Sequence, residues 1–577
     1  MRLHRTLIWV LLPLACSCSS EPEYDLLVRG GTIYDGSGDG GYTGDVAITG
    51  DRIAYIGPRA PGEARREIDA RGHAVAPGFI NMLSWSNESL LIDGRGQGEL
   101  RQGVTLEVMG EGESMGPLTP QMKDELLAQQ GDLKYPVEWT ALGEYLETLE
   151  RKGISLNVAS HVGAATARMN VLASADVDPT PEQLAAMQNV VRDALEEGAL
   201  GVASSLIYVP GTFAETGELV ALAETAGRCG GIYATHMRSE GKGLLEAVAE
   251  TIEISRRSGA PAEIYHLKAA GREHWPKLEQ VIARIEAARR EGLRITTDMY
   301  AYPAASTGLD ATMPPWVQEG GNAAWFARLR DPAIRRRVAA EMRDDKADWE
   351  NLLHMAGGAE QVLIVGLRKP EPKQLIGKTL AEISRERGVS AEEAAMDLVV
   401  ADESRVGSIY FVMSESEVRR KVALPFMSFG SDGTAVSAEG IFLKSNLHPR
   451  GYGNFARVFA RYVRDEKLVT IQEAVRRMTA HPASVLGLRD RGRLEPGLHA
   501  DVVVFDAATI QDHATYVRPH QYATGVSHVI VNGVLALEDG EPTDARPGRF
   551  VRGRAWTGWD DGGCRRSAND WDWPEVP

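Results

Sequence analysis

Short apolar runs alternating with helix-length amphipathic segments predict an α/β fold built as a barrel of alternating strands and helices. Strand-and-turn patterns at both ends of the chain predict a small β-sandwich assembled from the two termini. A third observation breaks the alternation once. About 130 residues of mostly helical pattern separate the seventh candidate strand from the eighth, too many for a bare loop, so an inserted subdomain is expected before the last strand.

The chain has 577 residues, 43% hydrophobic and 25% charged, as in a soluble globular protein with a sizeable core. At roughly 100–200 residues per domain, that length suggests two to four units. Its 63 Lys+Arg against 80 Asp+Glu leave a net charge of −17, which argues against a general nucleic-acid binder. Sixty Gly without a strict period exclude collagen, and four Cys exclude a disulfide-built scaffold.

Residues 1–20 stand apart from the fold. Arg2 and Arg5 precede an apolar run over residues 7–15 that is too short to span a bilayer as a mature helix. The run reaches Cys16 and Cys18 and then turns polar, which resembles a bacterial lipoprotein signal with either Cys as the lipidated residue. A plain signal peptide is the simpler alternative. Either way the expected address is exported, periplasmic or lipid-anchored to a bacterial membrane, and the only membrane contact expected is that lipid. Of the remaining cysteines, Cys229 and Cys564 show no metal or disulfide pattern by spacing.

Residues 24–75 alternate apolar and polar positions between Gly-rich turns and form the first part of the expected sandwich. Residues 76–310 form the first part of the barrel, with candidate strands AVAPGFIN, GVTLEVMG, ISLNVAS, LGVASS, GIYATH, AEIYHL and RITTDMY. Between them lie helices such as TPEQLAAMQNVVRDALEEG, opened by Thr180 and closed by Gly. The inserted subdomain is expected at 311–422 and the rest of the barrel, with strand FMSFGSD, at 423–490. ADVVVFDAA and SHVIVNGVLALEDGEP place the second sandwich part at 491–555, leaving a Trp-rich acidic tail at 556–577.

In such a barrel, functional groups gather at the C-terminal strand ends. Those ends carry Glu111, His236, His266 with Lys268, Tyr300 and Asp432. Two His and two carboxylates at successive ends make a divalent-metal site, and imidazole with carboxylate favours zinc. Any single His here is more often a hydrogen-bonded core residue; the array is what shifts the reading.

The segments VAPGFIN, RQGVTLEVMGEGESMGP, EEGALGVASSLIYVPGTFAETGELVALAE, GGIYATHMRSEG, IYHLKAAG, TTDMYAYPAASTGL, GSDG, HPRGYGNFARV and ADVVVFD occur in the order seen in one family. The chain resembles the N-acyl-D-amino-acid deacylase (D-aminoacylase) branch of the amidohydrolase superfamily over essentially its whole length after the signal. The resemblance implies a (β/α)8 TIM-type barrel and hydrolysis of small-molecule N-acyl-D-amino acids. It further implies His236 and His266 as metal ligands, Asp432 as general base and acid, and Lys268, Tyr300, Ser306 and Arg450 around the substrate's α-carboxylate. One Zn²⁺ per chain is expected, and an oligomer is compatible with the sequence.

Two departures from the family pattern matter. Where a His-x-His is usual after the first strand, this chain has Leu83 and Trp85, neither able to bind zinc, so the second metal position is expected to be absent. Where a Cys ligand is usual after the second strand, the chain has Gly110-Glu111-Gly112-Glu113; Glu111 is the expected third ligand and Glu113 the competing one. His161 near the third strand end is a candidate to bond the substrate carbonyl, though such a His is more often structural; His448 beside Arg450 and His481 read as structural, and Trp85 and Tyr208 are candidates for the acyl pocket, with plain packing the equal alternative. The rival readings are a related amide hydrolase acting on a dipeptide, a cyclic amide or a long-chain N-acyl amino acid, and a non-catalytic surface-binding relative.

Overall fold

The computed structural model describes residues 23–344, 346, 348–558, 563, 564, 571 and 573. The expected signal at residues 1–20 lies outside them, as does most of the expected tail.

The N-terminal run forms β1 (Tyr24–Ile33), β2 (Tyr42–Thr49), β3 (Arg52–Gly57), β4 (Ala64–Asp69) and β5 (Ala74–Pro77). β2 and β3 pair antiparallel with Thr49 opposite Arg52, which leaves a two-residue turn; Gly50 meets its need for a positive φ, at 60°. AVAPGFIN, expected as one strand, is two. β5 belongs to the terminal sheet, while β6 (Phe79–Asn81) pairs parallel with β7 (Val104–Met109). The break falls at Gly78, where a Cβ would lie 2.2 Å from the Thr105 side chain. Only glycine lets the main chain pass that close.

Next come β8 (Asn157–Ser160), β9 (Val162–Gly163), β10 (Gly201–Ser205), β11 (Ile232–His236), β12 (Ala262–Ile264) and β13 (Ile295–Met299). β14 (Ala305–Gly308), β15 (Val362–Gly366) and β16 (Gly407–Tyr410) follow, then β17 (Met427–Phe429). Among the described residues the fold is α/β with two parallel sheets, ordered β6-β7-β8 and β9-β10-β11-β12-β13-β17. Backbone bonds join these sheets along both edges. The Leu200 N–H donates to the Ser160 carbonyl at 2.9 Å, and the Met82 N–H to the Phe429 carbonyl at 3.4 Å.

Helices pack one apolar face each against the parallel strands. Pro181–Glu196 starts at Thr180, whose hydroxyl accepts from the Gln183 N–H, and buries Met187, Val191 and Leu195. Thr216–Arg228 buries Leu219, Leu222 and Ala226, and Leu278–Arg290 buries Val281, Ile282 and Ile285. Each of the Met, Val, Leu and Ile side chains among these contributes about 1.5–3 kcal/mol relative to exposure. β14, β15 and β16 form a separate antiparallel sheet with its own core, which includes Trp325, Val338, Leu380 and Val399.

The C-terminal strands are β18 (Val502–Phe505), β19 (Val526–Val531), β20 (Val534–Glu538) and β21 (Glu541–Pro542). β18 pairs with β5, so among the described residues both ends of the chain enter one nine-stranded sheet. Cys229, after helix Thr216–Arg228, is disulfide-bonded to Cys564 across 335 residues of sequence.

Candidate metal centre and hydrolytic site

The ends of the parallel strands deliver the site. Gly110, at φ 99°, turns the chain after β7 so that Glu111 faces inward; a Cβ there would lie 2.2 Å from the His161 carbonyl. His236 closes β11, and His266 sits two residues past β12 at φ 34°. Asp432, three residues past β17, also has a positive φ, 47°. Strained backbone of this kind at non-glycine residues concentrates at functional sites, where it aims a side chain that a regular strand would not.

These turns bring three donors together. Glu111, His236 and His266 are all buried, and one ligand atom from each lies within 4.8 Å of the others. Glu111 Oε1 is 2.9 Å from His236 Nδ1 and 3.3 Å from His266 Nε2. Glu113 stands apart from this set, exposed to the cavity. Asp432 faces the cluster from the β17 side, with its Oδ2 2.8 Å from Arg450 Nη1. A cavity of about 440 Å³ opens over all of them.

The other expected site residues line the same cavity with different engagements. Lys268 Nζ lies 2.5 Å from Glu240 Oε1 and 2.8 Å from His266 Nδ1. Among the described residues the buried Tyr300 hydroxyl has no hydrogen-bond partner, and the Arg450 guanidinium lies 4.6 Å over its ring. Ser306 donates to the Ser408 carbonyl, while its own carbonyl accepts from Arg450 at 3.4 Å. His448 accepts from the Arg450 N–H through Nδ1 and reaches the Ala304 carbonyl through Nε2. His161 is buried with neither ring nitrogen partnered among the described residues, and burial pushes its pKa down to about 3, so it stays neutral.

The electrostatics suit a cation. Burial alone would raise the Glu111 carboxyl, yet the two imidazoles outweigh it and hold it below the usual range. Glu240 behaves alike: burial raises it, and Lys268, His236 and His266 together pull it below its ordinary value. Asp432 is raised, because burial exceeds the opposing pull of Arg450 and His266.

Residues 66–536 match the amidohydrolase family model. The chain is 35% identical over 535 residues to an N-acyl-D-glutamate deacylase of Alcaligenes xylosoxydans xylosoxydans, covering 92% of this chain and 97% of the relative. The chain belongs to the amidohydrolase family. A D-aminoacylase of the same organism is 32% identical over 93% of this chain and 99% of its own. Among solved structures, an N-acyl-D-glutamate deacylase from Bordetella bronchiseptica, complexed with zinc and a phosphonate inhibitor, superposes with a TM-score of 0.75 at 31% identity, over 92% of this chain and 99% of that one.

In this amidohydrolase the positions after β6 carry a different chemistry from a His pair. Leu83 is fully buried. The Trp85 indole N–H lies 3.0 Å from Glu111 Oε2 and 3.0 Å from Asp432 Oδ1. Sequence reasoning missed that contact, and it missed Glu240, which sits four residues after His236 and meets His266 Nδ1 at 3.1 Å. A Glu at that spacing in a loop carries no periodic signal; only the fold brings it under the imidazole.

Proposed function

We propose that this amidohydrolase is a metal-dependent deacylase of N-acyl-D-amino acids, with one Zn²⁺ held by Glu111, His236 and His266. The observation that carries the reading is the convergence of those three buried donors with Asp432 across one cavity. Two imidazoles and a carboxylate are a zinc-type donor set. Glu240 against the far nitrogen of His266 is the outer carboxylate that such ligands usually have. When bound, the ion supplies Lewis acidity, polarising the acyl carbonyl and lowering the pKa of a water toward neutrality.

The chain's own residues do the rest. Asp432 takes a proton from the attacking water and delivers it to the departing amine nitrogen. Its raised carboxyl suits both halves of that transfer. Arg450 and the unpartnered Tyr300 hydroxyl, with Ser306 beside them, receive the substrate carboxylate. Lys268, tied to Glu240, lends its charge to that end of the cavity.

The edge-joined parallel sheets support a closed (β/α)8 barrel, the shared sheet of the two chain ends supports a terminal sandwich, and the separate core around Trp325 supports an inserted subdomain. The Cys229–Cys564 disulfide supports export to an oxidising compartment, by a signal in residues 1–20.

Elemental analysis paired with hydrolysis of N-acetyl-D- and N-acetyl-L-amino acids, methionine and glutamate first, tests the reading. One zinc per chain with turnover of D isomers alone is expected. No metal and no turnover after zinc is added back would overturn it in favour of a non-catalytic binding relative.

A further inference from the structure

We propose that Trp85 is a positioning residue: its indole N–H tethers the outer oxygen of Glu111 to Asp432, and the ring stands where a second metal ion would otherwise draw those two carboxylates together. The inference rests on the deacylase reading above.

The two oxygens of Glu111 have separate surroundings. Oε1 faces both imidazoles, while Oε2 faces the indole at 3.0 Å. Asp432 is divided in the same way, with Oδ1 on the indole at 3.0 Å and Oδ2 on Arg450 at 2.8 Å. One donor shared between two carboxylates offsets part of their mutual repulsion. It also leaves Glu111 only Oε1 to offer a metal, and it fixes the Asp432 carboxylate by Oδ1 while Oδ2 stays on Arg450.

The indole's place is set by main chain on both sides. The Ser84 N–H donates to the Val108 carbonyl and the Trp85 N–H to the Gly433 carbonyl, each at 2.8 Å. Those carbonyls belong to the segments that carry Glu111 and Asp432, so all three side chains share one frame. An indole nitrogen with its hydrogen is a donor only and cannot ligate a metal. With hydrocarbon at Leu83 beside it, this side of the site has a proton donor where a cation would need ligands. The ring also lines the cavity, 37% exposed, but a wall needs no N–H.

The test uses the full-length protein. Trp85→Phe keeps an aromatic wall and removes the donor. Expected are one zinc per chain as in the parent, kcat down about 10–100-fold with KM within a few-fold, and a changed visible absorption spectrum of the cobalt-substituted protein as Glu111 Oε2 is released. Trp85→Tyr, which keeps a ring-edge donor, is expected to recover part of kcat. A Leu83→His/Trp85→His double variant is expected to take up zinc beyond one per chain. A Trp85→Phe protein with parental kcat and an unchanged cobalt spectrum would overturn the proposal, as would a double variant that still holds one zinc. A parent without zinc or turnover would instead overturn the deacylase reading on which the proposal rests.

Discussion

The two sides of the cavity mouth are built from the same strand-end geometry but opposite chemistry. On the β11–β12 side, His236, His266, Lys268 and Glu240 form a dense charged cluster in which imidazole nitrogens meet carboxylates at about 3 Å. On the β6–β17 side, Leu83 is apolar, and the polar contacts run from Trp85 and Arg450 to Asp432. The first side gathers the donors proposed to hold a cation; the second holds one carboxylate by its two oxygens. One metal and one proton carrier, kept apart, suffice for amide hydrolysis when the ion polarises the carbonyl and the acid moves the proton.

The largest expected effect breaks the first side. His236→Ala or His266→Ala is expected to leave almost no bound zinc and to lower kcat/KM about 10⁴-fold, the loss of a several kcal/mol metal contribution; metal analysis and a turnover assay on one preparation check it. Asp432→Asn attacks the second side. It is expected to lower kcat about 10³-fold while zinc stays near one per chain, and loss of the metal from that variant would mean the two sides are not separate.

Glu240→Gln sharpens the comparison because Glu240 is itself neither a reacting group nor a proposed ligand, but backs the His266 imidazole from behind. Zinc affinity is expected to fall about 10–100-fold, read by competition with a chelating dye. The same titration has a pH dependence. Burial and the Lys268 ammonium push the His266 imidazole down, but Glu240 and Glu111 outweigh them, and in the metal-free protein it is pushed up to about 10. A metal therefore displaces that proton. Affinity is expected to rise with pH below 10, by about tenfold per unit for one proton, and a flat response between about pH 6 and 8 would contradict the assignment of His266.

The smallest effect on catalysis is expected far from either side. Cys229→Ser opens the link to Cys564 and is expected to lower Tm by several degrees with kcat unchanged.

Much of this was legible in the sequence because it is local. A strand end is marked by an apolar run that stops, so Glu111, His236, His266 and Asp432 stood out by position along their own segments. AVAPGFIN was misread as one strand because an apolar run does not say which sheet it joins; the crowding of Gly78 against Thr105 does. Glu240, the Trp85 contacts and the Cys229–Cys564 bond were not legible, since each depends on residues far apart in the chain.

Hydrophobic periodicity, helix caps and the turns between strands are short-range, and through them the sequence alone determined the α/β class and the residue types available at the strand ends. Distances between those ends are another matter. Whether Glu111 or Glu113 meets the imidazoles, which partner Lys268 takes, and what an indole does in place of a ligand were decided only in the tertiary structure. There, buried charges settle on whichever partners the packed strands bring within 3 Å, because in a water-poor interior an unpaired charge costs more than any local preference.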